Sequence, residues 1–192
     1  MEKVQPIRKL EQIARIKRNL KTPETAVWYA LFGVGVNTNL RVSDLRNLTW
    51  AQVWMDDERE FRNHILLTEQ KTGKKRRIKI NPNVLESLAY LLENIPAPER
   101  TDPIFRNSQT REVYSREHIA RRISAEAKKI GIQDQIAIHS LRKTWAYHAI
   151  VTFHQDITIV QAALNHATQK QTMDYVGVTE DDIEIVHDTV ML

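Results

Sequence analysis

The sequence predicts a mainly helical α+β domain carrying a small three-stranded antiparallel sheet at one edge. Three observations carry that prediction. Apolar residues recur at helical spacing through most of the chain, as in Leu10, Ile13 and Ile16 or in Val84, Leu88, Leu91 and Leu92. Helix-start residues stand just ahead of such runs, at Thr22-Pro23, Asn81-Pro82, Ser115 and Thr168. Between residues 50 and 80 the pattern changes to short runs around the turn Gln70-Lys71-Thr72-Gly73-Lys74.

Each element follows from local chemistry. Residues 1–21 hold seven Lys or Arg and an apolar stripe, which predicts an amphipathic helix with a basic outer side. Thr22-Pro23-Glu24 opens a helix to about Gly35, with Val27, Leu31 and Val34 facing the core. Asn37 and Asn39 suit a left-handed helix end. A short helix follows, with Val42, Leu45 and Leu48 inward, Arg41 at its entry and Asp44 one turn on. Residues 50–54, 64–68 and 76–80 read as the three strands, and Lys71, Lys74 and Lys75 crowd the hairpin tip. The Pro-rich stretch from residue 95 to 103 is a loop. Ser115 caps a helix to about Ile130 with Arg121 and Arg122 on its outer side, and Gly131 ends it. Two short helices flank the break Asn165-His166-Ala167, the second capped by Thr168 with Gln171 and reaching Tyr175 in about two turns. Thr179 caps a last acidic helix with Ile183, Val186 and Val190 on one side.

Composition narrows the function. The chain has 192 residues and no Cys, so disulfides and thiolate metal sites are excluded. No His or carboxylate cluster stands at metal-ligand spacing, and no metal or other cofactor is expected. No run is apolar enough for a signal peptide or a membrane span, which predicts a soluble cytoplasmic protein. The formal charge of +4 is uneven: residues 179–192 carry five acidic residues and no Lys or Arg, so residues 1–178 carry +9. A basic body of that kind attracts a polyanion.

One stretch points to chemistry. In Ile138-His139-Ser140-Leu141-Arg142, a proton carrier and a permanent phosphate clamp share a face at a helix start. Helix-start N–H groups add to its affinity for phosphate oxygens. Around it, in order, stand Arg41, Lys71, His139, Arg142, His166 and Tyr175. A phenol such as that of Tyr175 can attack phosphorus and later leave, conserving energy in a covalent bond. Two Arg can hold the charge that grows on the phosphate oxygens.

These segments resemble the catalytic domain of the tyrosine recombinases, the phage-integrase family, over about residues 22–178. Leu40-Arg41-Val42-Ser43-Asp44-Leu45 resembles the family's first Arg box, and Lys71-Thr72-Gly73-Lys74 with residues 77–80 resembles its hairpin Lys. Residues 138–144 resemble its His-x-x-Arg box, and Leu164-Asn165-His166 with Tyr175-Val176-Gly177-Val178 resembles its C-terminal His and Tyr. Two positions depart from it: Asn39 and Asn165 replace Gly, and Asn39 is expected to adopt a similar backbone conformation. The family generally has an N-terminal clamping domain. Only about 21 residues precede the similarity here, which leaves open a short recombinase of the fimbrial-switch kind or a piece of a longer one.

The resemblance implies site-specific DNA recombination, of integrase or invertase type, through a 3′-phosphotyrosyl intermediate and without metal. Tyr175 is the implied nucleophile, Arg41 and Arg142 the phosphate clamps, and Lys71 the acid for the leaving 5′ oxygen. His139 would take the nucleophile's proton, His166 would bond a non-bridging oxygen, and Asp44 would orient Arg41. Lys74, Lys75, Arg121, Arg122 and Lys143 are candidate DNA contacts. The implied partner is double-stranded DNA with specific recombination sites, bound by dimers or tetramers in association with the nucleoid. Relaxation of type IB topoisomerase kind and an inactive DNA-binding module are the alternatives. A tail helix of three or four turns cannot stand alone in water. Residues 179–192 are therefore expected to dock in cis in the free protein, and in trans when protomers assemble on DNA.

Overall fold

The computed structural model describes residues 4–55, 59–178 and 180–191. Its architecture is mainly helical with small antiparallel sheets. Helix α1 (Leu10–Leu20) packs its stripe inward through Ile16 and Leu20. A 3-10 turn (Pro23–Thr25) leads into α2 (Ala26–Asn37), which is buried from Ala26 to Val36 apart from the half-buried Val27. A helix apolar on every side has to be central. Helix α4 (Pro82–Glu93) lies against it so closely that a Cβ on Gly33 would meet Ser87 Oγ at 2.1 Å. Helix α6 (Ile138–Tyr147) approaches equally closely, with Leu141 Cδ1 2.6 Å from a Cβ on Gly35. Hence Gly33 and Gly35 set the spacing of three helices.

The end of α2 differs from expectation. Asn37, Thr38 and Asn39 are not left-handed, and Thr38 is extended at φ −126°. Side chains satisfy the last carbonyls instead: Asn37 Nδ2 donates to Gly33 O and Thr38 Oγ1 to Val34 O, each at 2.8 Å. The chain then enters α3 (Val42–Arg46) with Arg41 at its N-cap.

The predicted three-stranded sheet is two separate hairpins among the described residues. Strands β1 (Trp54–Met55) and β2 (Glu60–Phe61) form one pair; β3 (His64–Thr68) and β4 (Lys75–Lys79) form the other. Residues 50–52, expected in a strand, form a 3-10 turn because Gln52 Oε1 accepts from Thr49 N at 2.8 Å and closes a capping box. On β3, Ile65 and Leu67 face the core.

Helix α5 (Arg116–Lys129) is capped by Ser115 as predicted, and Gly131 follows at φ +85°. A π-helical turn (His148–Thr152) extends α6. Helices α7 (Ile157–Leu164) and α8 (Gln169–Val176) form a second, smaller core with Ala146 and Tyr147. Asn165 closes α7 in the left-handed conformation at φ 55°, ψ 46°, which Asn tolerates better than most residues. Gly177 closes α8 at φ +69°.

The N-terminal strap ties these parts together. Ile7 N donates to Thr144 Oγ1 at 2.9 Å, and His148 Nε2 donates to Ile7 O at 2.9 Å. Arg8 Nη2 donates to Gly177 O at 3.1 Å, just past the helix that carries Tyr175.

Helix α9 (Glu180–Thr189) is present, but its expected cap Thr179 lies outside the described residues. Its apolar stripe does not fold back: Ile183, Val186 and Val190 are 43%, 56% and 59% exposed. A hydrogen bond from Tyr147 OH to Asp182 Oδ1, at 2.7 Å, tethers it. Among the described residues, no helix is long and apolar enough to cross a membrane.

Candidate active site

Three segments far apart in sequence converge where α2 ends, α6 begins and α7 passes into α8. Tyr175 sits one residue before the end of α8, and its hydroxyl lies 3.2 Å from His139 Nε2. The His139 ring meets the Tyr175 ring edge-on with centroids 5.4 Å apart; His166 does the same at 5.1 Å. Tyr175 is thus flanked by two imidazoles from different elements.

Arg142 is 4% exposed and held by backbone carbonyls. Its Nη1 donates to Asn39 O, and its Nη2 to Leu164 O at 2.8 Å. The carbonyl at the end of α2 and the one at the end of α7 therefore aim the guanidinium. His166 is fixed by its backbone N–H to Gln161 O at 3.1 Å and by Nδ1 against Thr172 Oγ1 at 3.1 Å.

Electrostatics prepare these groups unequally. Burial pushes the Tyr175 phenol up to about 12, against the downward pull of Arg142 and Arg41. Unaided, it stays protonated at neutral pH. Burial, then the charges of Arg142 and Lys143, push His139 below its ordinary value. Burial, then Arg142 and Arg41, do the same to His166. Both imidazoles are therefore biased toward the neutral form, which can accept a proton. Burial also lowers Arg142, but a guanidinium remains a cation.

Arg41 is drawn into a network absent from the sequence reading. Its Nη1 forms an ion pair with Glu69 Oε2. Glu69 is 2% exposed, and it also takes Arg76 Nη1 at 2.7 Å and Thr72 Oγ1 at 2.6 Å. Burial alone would raise this carboxyl; the Thr72 hydroxyl and the two guanidiniums overcome that and hold it at about 2. Arg76 Nη2 then donates to Asn39 Oδ1 at 2.7 Å. The carboxylate paired with Arg41 is thus Glu69, not Asp44. Asp44 serves the turn instead, its Oδ1 accepting from Gln70 N at 3.0 Å. A weak signal for Glu69 was present: it is the lone acid among residues 61–85, in a stretch dense with cations.

Asn39 also needs correction. Its backbone is not left-handed, and its role is to bond. It is buried and links Arg76, Arg142 and Ala163 O.

The other cations divide. Lys71 is exposed in the turn and makes no hydrogen bond or ion pair among the described residues. Lys74 Nζ reaches Asn165 Oδ1 at 2.8 Å and pins the hairpin tip beside His166. Lys75 and Arg121 are exposed. Arg122 is less available than expected, lying 5.7 Å from the Trp28 ring centre and 3.0 Å from Glu126. Lys143 is not on the surface: it is 3% exposed, with Nζ 5.3 Å from the centre of the Tyr175 ring.

The chain matches the phage integrase family over residues 8–181. It is 36% identical over 185 residues to a probable integrase/recombinase, YoeC, of Bacillus subtilis, covering 94% of this chain and 93% of that protein. It is 26% identical to the tyrosine recombinase XerC of Pelobacter propionicus, covering 79% of this chain but about half, 48%, of that protein. Its fold is similar to the crystal structure of XerA recombinase, with TM-score 0.75 and 21% identity over all of this chain and 66% of that one. It is also similar to a lambda integrase dimer bound to a COC′ core site, with TM-score 0.65 and 20% identity over 92% of this chain and 61% of that one. The chain belongs to the phage integrase family and is a tyrosine recombinase, a site-specific enzyme that breaks and rejoins DNA.

Proposed function

We propose that Tyr175 is the nucleophile of strand cleavage and that His139, Arg41, Arg142, His166 and Lys71 serve it. The contact of 3.2 Å between Tyr175 OH and His139 Nε2 carries this reading. His139 takes the phenolic proton as the Tyr175 oxygen forms its bond to phosphorus. The bond from phosphorus to the 5′ oxygen breaks. That oxygen takes a proton from Lys71, leaving a 3′-phosphotyrosyl link and a free 5′ hydroxyl. Arg41 and Arg142 balance the charge on the non-bridging oxygens, and His166 donates to one of them. Reversal with a different 5′ hydroxyl rejoins the strands.

The partner is double-stranded DNA carrying recombination sites, bound by more than one protomer, and the place of action is the cytoplasm with the DNA. The names of similar structures support this: XerH is described bound to a palindromic difH substrate, and lambda integrase as a dimer on its core site. The exposed apolar stripe on α9 supports docking in trans. Type IB relaxation is separated from recombination by supercoiled plasmid without paired sites, which a recombinase leaves supercoiled.

The decisive experiment is Tyr175→Phe on site DNA. It is expected to abolish the covalent protein–DNA adduct on a denaturing gel while retaining the gel shift. An adduct from the Phe variant would remove Tyr175 from its role.

A further inference from the structure

The turn that carries Lys71 and the guanidinium of Arg41 share one buried carboxylate. Glu69 closes the turn with its backbone: its N–H donates to Lys74 O at 2.9 Å, and its carbonyl accepts from Gly73 N at 2.9 Å. Its side chain points the other way, into the protein, and is 2% exposed. There Oε2 meets both Arg41 Nη1 and Thr72 Oγ1, while Oε1 meets Arg76 Nη1. Both neighbours of Lys71 are therefore tied down. Thr72 is held by Glu69, and Gln70 N by Asp44 Oδ1. Lys71 projects from a turn that is held on either side of it.

The network also reaches the second clamp. Arg76 bonds the side chain of Asn39, whose carbonyl holds Arg142. A displacement of Glu69 would thus move Arg41 directly, the Lys71 turn through Thr72, and Arg142 through Arg76 and Asn39. A buried ion pair is weak evidence of stabilisation, because desolvation offsets its attraction. What such a group does supply is a fixed position.

We propose that Glu69 is a positioning residue that holds Arg41 and the Lys71 turn as one unit, so that the phosphate charge and the leaving oxygen are met in a single geometry. This rests on the roles given above to Tyr175, Arg41 and Lys71. Catalytic groups misplaced by about 1 Å lose on the order of 10² in rate, so a shared anchor has a kinetic signature.

The experiment measures single-turnover cleavage at saturating DNA with two substrates. One has the natural 5′ oxygen at the scissile phosphate. The other has sulfur there, so the bond from phosphorus to sulfur breaks and a thiolate departs without needing a proton. Thr72→Val removes the side-chain bond from Glu69 to the residue after Lys71 but leaves the Glu69 ion pairs and the backbone bonds that close the turn. It is expected to slow the oxygen substrate by about tenfold or more and the sulfur substrate by less than about twofold. Glu69→Gln releases Arg41 as well, and is expected to slow both substrates, the oxygen one more. DNA affinity should stay within about threefold of wild type in both variants.

Equal slowing of the two substrates by Thr72→Val, or no slowing, would overturn the inference, as would Glu69→Gln cleaving at the wild-type rate. Because Glu69→Gln leaves two half-buried guanidiniums short of a partner and can fail to fold, the Thr72→Val comparison decides by itself. Failure of the underlying roles looks different. Tyr175→Phe would still form the adduct, or Lys71→Ala would slow the two substrates alike.

Discussion

Arg142 shows how much a single side chain can be asked to do. Two backbone carbonyls, from Asn39 and Leu164, orient it, and it lies beside the Tyr175 phenol. Preorganised donors aimed at developing charge are costly to lose. Arg142→Ala is expected to lower single-turnover cleavage by about 10² to 10³. A change under about twofold at saturating DNA would place Arg142 outside the reaction. His139 offers a pH test. Its pKa lies below the ordinary 6.5, through burial first and the cations Arg142 and Lys143 second. Its neutral form therefore persists to lower pH than that of an ordinary histidine. Cleavage that needs this neutral form should fall as pH drops, with a midpoint below 6.5. His139→Gln should lower the plateau and remove that acid limb. A wild-type midpoint above 6.5 would contradict the assignment. Residue identity was the most legible level of the sequence, since Arg41, His139, Arg142, His166 and Tyr175 stand in order with helical spacing around them. Glu69 left only the weak signal of a lone acid among cations and Asn39 none, because what they do depends on partners many residues away. Asn39 also misled through its backbone tolerance, when its amide and carbonyl were what mattered.

At the scale of elements, boundaries set by caps were readable in advance. Asn81, Ser115 and Thr168 each accept a backbone N–H at the start of a helix, whereas Thr22, also expected to cap, makes no such bond. The sheet was misread because alternation over five residues around Trp50 also fits a 3-10 turn followed by a two-residue strand. The tail helix was placed correctly in sequence, but its apolar stripe faces solvent. That exposure sharpens the expectation for assembly. Deleting residues 180–192 should leave the gel shift of one protomer on a single site within about threefold of wild type. It should weaken cooperative binding to DNA with two sites, checked by sedimentation and gel shift, because an amphipathic helix this short depends on packing. Unchanged cooperativity would make the tail a passive appendage.

The molecule as a whole carries its charge unevenly, basic over residues 1–178 and acidic in the tail. DNA affinity should therefore fall steeply with salt, in a straight line of log affinity against log salt with slope about −0.9 per phosphate neutralised. A flat response between low and physiological salt would leave the basic body without a polyanion. That α2 contributes to the core was legible from Leu31 and Val34 at helical spacing, but not that it is buried on every side. The close approach of α4 and α6 to it was not legible either, since it depends on contacts at Gly33 and Gly35 with residues far along the chain.

The strap of residues 4–8 makes neighbours of the two ends of the chain. Ile7 grips α6 and its π-helical extension through Thr144 and His148, and Arg8 grips the carbonyl of Gly177 immediately beyond the helix that carries Tyr175. In mechanical terms the strap and that helix lie on one load path. A pull on the strap is shared between Thr144, His148 and Gly177, the left-handed residue that closes α8. The strap thus anchors the junction just past the helix that carries Tyr175.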